Sequence, residues 1–290
     1  MGDKDSFFNK NYTINAGGKL ITLSKPLVMG ILNTTPDSFF DGGNYQNEKE
    51  IEKRISTMIE DGADIIDIGG MSSRPGSETV DSKTEINRIE YALTFTAKNF
   101  PDTLISVDTY RSDVAKFALD KGTHIINDIS AGEIDPEIIK VAAAYKVPYI
   151  LMHMQGNPAN MQKNPQYKDV LADVFKFLLQ KTEQLSQSGI NDIIIDPGFG
   201  FGKTMEHNFK LLAHLDYFKN LNRPILAGTS RKSMLCKALN IKPENALNAS
   251  SWSNTISLLK GADILRVHDV KEAVQVCKLH NLLDEYSQPD

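Results

Sequence analysis

The chain has 290 residues, 41% of them hydrophobic and 24% charged, with a formal net charge of -5. That is ordinary for a globular chain of one large barrel or two small domains. It argues against the basic footprint of a nucleic-acid binder, and no apolar run approaches the roughly 18 residues a membrane span requires.

The opening MGDKDSFFNK is polar and has no apolar signal segment, so a cytoplasmic protein is expected. Gly2 and Ser6 also fit the loose myristoylation pattern, which six residues match often by chance. Residues 11–24 read as a hairpin. Tyr12 and Ile14 alternate with polar neighbours, Gly17-Gly18 makes the turn, and Leu20, Ile21 and Leu23 return. As an extension over residues 1–25, this hairpin would plug or cap one end of the main fold.

From residue 26 to residue 285 the chain keeps one rhythm. Strand-like runs begin near Leu27, Asp64, Leu104, His124, Pro148, Asp192, Pro224 and Asp263. Helical patterns lie between them. Ile51, Ile55, Met58 and Ile59 share a helical face, with Asn47 and Glu50 placed as cap and partner. Ser82 and Glu85 form a second capping box ahead of Ile86, Ile89 and Leu93, and Val170, Val174, Phe177, Leu178 and Leu185 mark a longer helix. Helices stop at Gly62, Gly122, Gly189 and Gly261, each followed closely by the next strand. Strand, helix and glycine stop, repeated through the chain, predict an α/β fold that is a single (β/α)8 TIM barrel with an N-terminal β-hairpin. A doubly wound open sheet is the alternative, because pattern alone does not prove closure.

A barrel places its functional residues just after its strands. Polar and charged residues do cluster there. They run from Asn33 to Phe40 after the first strand and from Ser72 to Gly76 after the second. They continue at Asp108, Asn127-Asp128, Met152-His153 and Asp196, then Ser230-Arg231-Lys232-Ser233 and Arg266-Val267-His268-Asp269. Pointing inward, Asp108, Asn127 and Asp196 would make an acceptor-rich floor suited to a planar heterocycle with several N–H donors. Lys232 adds a donor for a ring nitrogen or carbonyl. Arg266, His268 and Arg74 add positive charge near the rim, where this fold commonly takes phosphate.

The stretch IIIDPGFGFGKT, from Ile193 to Thr204, carries Asp196 into a glycine-rich loop. It is not a phosphate-cradling P-loop, because Pro197 stands where the motif needs its first glycine before Gly202-Lys203-Thr204. It is not a dinucleotide fingerprint either, since the glycines fall as G-x-G-x-G. Cys236 and Cys277 lie far apart with no metal-type spacing, which predicts two free thiols in a reducing compartment.

Seven segments in order carry a family resemblance. They are MGILNTTPDSFFDGG, DIIDIGGMSSRPGS, ISVDTYRSDVAKFAL, HIINDISAG, DPGFGFGKTMEHN, GTSRKSML and ADILRVHDVKEA. With them the chain resembles the dihydropteroate synthases, pterin-binding barrel enzymes of folate biosynthesis that sulfonamides inhibit. The resemblance implies a transferase that joins 6-hydroxymethyl-7,8-dihydropterin pyrophosphate to p-aminobenzoate, releasing pyrophosphate. It implies that Asp108, Asn127, Asp196 and Lys232 bind the pterin, and that Arg266, His268 and Arg74 bind the pyrophosphate. Ser73, Pro75, Phe39 and Ser233 would contact p-aminobenzoate. Asn33 would ligate Mg²⁺, Asp41 would steady that loop or its ion, and Met152 and Phe201 would complete the pocket. No nucleic-acid or membrane partner is implied, and the family is usually a homodimer through its last helices. Two positions depart from the family pattern: Ser73 stands where threonine is usual, and Met71 where many members have glutamate. A pterin-dependent methyltransferase would share Asp108, Asn127 and Asp196 but would need neither the first two loops nor the Arg266 and His268 pair. A non-catalytic paralogue should have lost a rim residue, and none is missing.

Overall fold

The structure is a computed structural model that describes residues 12–35, 44–71, 80–157, 161 and 164–287. β1 (Tyr12–Ala16) and β2 (Lys19–Leu23) form the expected antiparallel hairpin, with Tyr12 opposite Leu23. Gly17 and Gly18 turn it at φ +62 and +82, a backbone that only glycine adopts without strain.

Eight parallel strands follow. They are β3 (Leu27–Asn33), β4 (Ile65–Gly69), β5 (Leu104–Asp108), β6 (Ile125–Asp128), β7 (Tyr149–Met152), β8 (Ile193–Asp196), β9 (Leu226–Ala227) and β10 (Ile264–Val267). Their spatial order is β8-β7-β6-β5-β4-β3-β10-β9. The ends of this sheet meet: Ile195 bridges Ile225 in parallel, and the Ile195 amide donates to the Pro224 carbonyl at 2.9 Å. That contact excludes the open-sheet alternative. Between the strands run α1 (Asn44–Glu60), α2 (Ser82–Asn99), α3 (Ser112–Asp120), α4 (Glu137–Tyr145), α5 (Val170–Gln187) and α6 (Met205–Ala213). After β9 come α7 (Ser233–Leu239) and α8 (Leu247–Leu259), and α9 (Val270–Tyr286) follows β10.

The helices end where the glycines stand: Gly62, Gly122, Gly189 and Gly261 have φ between +86 and +98. Three further stops use left-handed Lys146, Asn222 and Asn240, which the glycine pattern does not reveal. Two expected starts are corrected. α1 begins at Asn44, ahead of the expected cap at Asn47. α2 is capped by Asp81, whose Oδ1 accepts from the Thr84 amide at 2.7 Å. Glu85 is drawn away from the expected capping box into a buried ion pair with Arg111 Nε at 3.2 Å.

The eight barrel strands are buried on both faces, so inward and outward sets separate by the two-residue period. The outward set packs under the helices. The inward set begins with one residue from each strand: Met29, Ile65, Leu104, Ile125, Ile150, Ile194, Leu226 and Ile264. Ile14 and Ala16 of the hairpin pack into the same cluster. The hairpin therefore closes the barrel's N-terminal end, and Asn15 ties it down by donating its amide to Asp192 Oδ2 at 3.2 Å.

Candidate active site

Two residues beyond that apolar floor, the same strands point Ile31, Asp67, Ser106, Asn127, Met152, Asp196 and Arg266 inward, with Gly228 beyond β9. Chemistry begins in this layer. Arg266 donates through Nε to Asp67 Oδ2 at 2.7 Å and through Nη2 to Asp108 Oδ2 at 2.6 Å. Asn127 Nδ2 donates to the same Asp67 oxygen at 3.0 Å, while the buried Asp67 Oδ1 has no partner among the described residues. Asp196 Oδ1 accepts from the Gly198 amide at 2.7 Å. Above it, Lys232 Nζ lies 4.3 Å from the centre of the Phe201 ring, a cation–π distance. Asn127, Ile129, Met152, Asp196, Phe201, Lys232 and Arg266 line one narrow cavity at the C-terminal ends of the strands. Tyr110, Met154 and Met161 extend its apolar wall, and Met71 packs against them with its sulfur accepting from the Tyr110 hydroxyl at 3.4 Å.

Glycine makes the approach possible. A Cβ at Gly228 would sit 3.9 Å from the Arg266 Cβ and 4.0 Å from Asp196 Oδ2, so larger side chains would fill the cavity. A Cβ at Gly198 would overlap the His153 carbonyl oxygen.

Three carboxylates here face two cations. Burial lifts the Asp108 carboxyl to about 7, with Arg266 pulling it down and Asp67 pushing it back up. Burial also raises Asp196, against the Gly198 amide, Lys232 and Arg266. Burial lowers the Lys232 ammonium to about 8; Arg266 adds to the fall, and Asp196 and Asp108 oppose it. Burial disfavours the Arg266 charge, but Asp67 and Asp108 outweigh it and hold the guanidinium firmly protonated.

The expected residues divide into three groups. Asp108, Asn127, Asp196, Lys232, Arg266, Met152 and Phe201 converge as described. His268 stands one inward position beyond Arg266, its Nδ1 3.1 Å from the Ser230 hydroxyl, while its carbonyl accepts from Arg54. Burial, Arg266 and Lys232 lower it to about 4, so it is a neutral hydrogen-bonding group and not the positive charge expected of it. Ser233 is exposed at the first residue of α7, and Asn33 ends β3. Arg74, Ser73, Pro75, Phe39 and Asp41 lie outside the described residues.

Asp67 is the site residue that sequence reasoning missed. Its signal was present, as a lone carboxylate inside the apolar run DIIDIGG. Lys203, in the triplet that does not complete a P-loop, is also buried, at 3% exposure. Burial lowers its ammonium to about 7, Asp196 opposes the fall, and Lys232 adds to it.

A closed eight-stranded barrel with a polar cavity at its C-terminal face defines a small-molecule enzyme of the TIM-barrel type. The chain matches the pterin binding enzyme family over residues 29–268. It is 43% identical to the dihydropteroate synthase of Escherichia coli strain K12, over 91% of this chain and 94% of that one. It superposes on a crystal structure of the Yersinia pestis dihydropteroate synthase with a sulfonamide drug complex, at TM-score 0.89 and 40% identity. That match covers 94% of this chain and 100% of the other. The Xanthomonas albilineans dihydropteroate synthase with 4-aminobenzoic acid matches at TM-score 0.88 and 35% identity, over 95% and 99% of the two chains. The chain belongs to the dihydropteroate synthase family of pterin-binding enzymes.

Proposed function

We propose that this chain condenses 6-hydroxymethyl-7,8-dihydropterin pyrophosphate with p-aminobenzoate, giving 7,8-dihydropteroate and pyrophosphate. The observation that carries the reading is the placing of Asn127, Asp196 and Lys232 around one narrow cavity above an apolar floor. A planar ring with N–H donors on one edge and acceptors on another matches that set. Asp196 accepts from the ring donors, Asn127 offers the amide, and Lys232 donates to a ring nitrogen or carbonyl. Met152 and Phe201 hold the ring faces.

The C–O bond to pyrophosphate breaks first, and the aryl amine then attacks the methylene carbon. Asp108 and Asp196 hold carboxyl groups at fixed positions near the cation that this step develops, and in their ionised form they stabilise it without reorganising. No side-chain nucleophile is used: Cys236 and Cys277 are both free and buried. Arg266 retains one terminal nitrogen beyond its bonds to Asp67 and Asp108, and with His268 it serves the leaving pyrophosphate. Arg74 would join them. Ser73, Pro75, Phe39 and Ser233 would receive p-aminobenzoate.

For Mg²⁺ the donor set is sparse. Among the described residues no three His, Cys, Asp or Glu side chains gather as for a metal ion. Asn33 supplies one neutral oxygen at the end of β3, with Asp41 as a further candidate. A single amide oxygen fits an ion that arrives already held by pyrophosphate oxygens and water. When bound it would neutralise charge on the leaving group.

The domain assignment we favour is a hairpin extension over residues 1–25 and a pterin-binding barrel over residues 26–285. A homodimer through the last helices is supported by exposed Trp252 and Leu259 on α8 and Leu279 and Leu283 on α9. Sedimentation would test it. A cytoplasmic location fits the described helices, none of which is long and apolar enough to cross a membrane. The deciding experiment mixes the protein with dihydropterin pyrophosphate, p-aminobenzoate and Mg²⁺ and follows dihydropteroate and pyrophosphate. Pterin binding without turnover would leave only a binding protein.

A further inference from the structure

The loop that carries Asp196 into the site is built from residues that should not hold a shape. Gly198, Gly200 and Gly202 all have positive φ, at +71, +83 and +62. Glycine gains such conformations at the cost of a larger ordering entropy than any other residue. Yet two binding groups depend on this loop. The Gly198 amide fixes Asp196 Oδ1, and the Phe201 ring carries the Lys232 ammonium on its face.

Lys203 sits beneath that loop. Its Nζ donates to the carbonyls of Gly198 at 2.8 Å, Phe201 at 3.0 Å and His153 at 3.1 Å, and lies 2.9 Å from His153 Nδ1. Gly198 and Phe201 are the two ends of one turn, closed by the Phe201 amide on the Gly198 carbonyl at 3.2 Å. His153 comes directly after β7, so the same ammonium ties this turn to the neighbouring barrel unit. The next residue, Thr204, caps α6 by accepting from the His207 amide at 3.2 Å. The Gly-Lys-Thr triplet that fails as a phosphate cradle thus acts as a loop clamp joined to a helix cap.

We propose that Lys203 is a positioning residue for pterin binding: its ammonium clamps the glycine loop so that Asp196 and the Phe201–Lys232 pair stand ready for the ring. The inference rests on the pterin-binding reading above. It requires no contact between Lys203 and substrate. Lys203→Met keeps the length and apolar stem but removes all three donors, leaving the Gly198, Phe201 and His153 carbonyls without them. Lys203→Gln keeps two N–H donors without the charge.

The test measures calorimetric affinity for 6-hydroxymethyl-7,8-dihydropterin and steady-state KM for both substrates in wild type, Lys203→Met and Lys203→Gln. Circular dichroism and the melting temperature check the fold. Lys203→Met should weaken pterin binding by about tenfold or more, the size of one or two lost hydrogen bonds. Its KM for p-aminobenzoate should stay within about twofold, and Lys203→Gln should fall between it and wild type. A purely structural lysine would lower the melting temperature and leave the pterin KM unchanged, which would overturn the inference. Failure of both variants to fold would equally make Lys203 a residue of the fold and not of the site. If wild type itself binds no pterin, the functional reading fails and not the clamp alone.

Discussion

The apolar floor and the polar layer above it come from the same strands, two residues apart. The floor takes Ile65, Ile125, Ile194 and Ile264; the next inward positions on those strands are Asp67, Asn127, Asp196 and Arg266. Backbone geometry is alike in both. The difference is what each layer needs from its neighbours. The floor needs only volume, and the hairpin supplies the last of it through Ile14 and Ala16. The polar layer needs partners, because a buried charge left alone is costly. It meets that need unevenly. Arg266 is doubly paired, whereas Asp67 Oδ1 has no hydrogen-bond partner among the described residues. One layer asks its neighbours only for volume, and the other asks them for charge and hydrogen bonds.

The sharpest way to break this comparison is to strip a partner from the polar layer. Asp67→Ala leaves Arg266 and Asn127 without their shared acceptor, and a broken buried ion pair costs about 3–5 kcal/mol. Urea denaturation should show a loss of that order. A loss under about 1 kcal/mol would mean that Arg266 re-pairs fully with Asp108.

The two layers should also exchange their phenotypes. Met29→Ala or Ile65→Ala removes buried apolar volume and should cost about 2–5 kcal/mol of stability with pterin affinity unchanged. Asp196→Ala should do the reverse. Truncating a paired buried carboxylate weakens ligand binding by about 2–5 kcal/mol. Stability should hold or rise, since burial has already raised the Asp196 carboxyl and penalised its charged form. A floor variant that loses pterin affinity as strongly as Asp196→Ala would merge the layers.

The fold was legible in the sequence because its signals are local. Eight strand starts and four glycine stops are each read within a few residues. What escaped depends on distant partners. Glu85 looks like half of a capping box until Arg111, one barrel unit later, takes it as an ion-pair partner. Asp67 hides inside an apolar strand until β10 brings Arg266 across the barrel. Asp196 and Asn127 are readable because each lies at a strand end, and Lys232 because it stands in the loop after β9 at the start of α7. Arg266 was expected to serve only the pyrophosphate, and no local pattern tells that two of its nitrogens are already engaged by Asp67 and Asp108. For that reason His268→Ala is the cleaner probe of anion binding. It should weaken pyrophosphate about tenfold and free pterin little, the size of one charge-assisted hydrogen bond. An anion beside a neutral imidazole raises its pKa above the free value of about 4, so pyrophosphate should bind wild type more tightly as pH falls towards about 4. His268→Ala should lose that trend.

The smallest expected effect on turnover lies at the floor end, and it separates ionisation for folding from ionisation for function. Asp263 stands at the N-terminal edge of β10, far from the cavity mouth, and its Oδ2 accepts from the Ile225 amide at 2.7 Å. Burial raises its carboxyl to about 6, against the Ile225 amide and Lys219. The unfolded chain leaves such a group near its ordinary value of 3.8. A pKa raised on folding contributes stability that is fully present below the unfolded value and lost as pH climbs through the folded one. The Asp263 contribution should therefore fade between about pH 4 and pH 6. Asp263→Asn keeps an oxygen acceptor for the Ile225 amide and cannot ionise. Its stability relative to wild type should rise across that window and then level off, while turnover with both substrates is unchanged. Thermal melts of the two proteins at about pH 4, 5, 6 and 7 measure the difference directly. A stability gap independent of pH would show that the Asp263 charge is not penalised in the fold. A fall in turnover with stability unchanged would place this residue in the functional layer and undo the division between the two ends of the barrel.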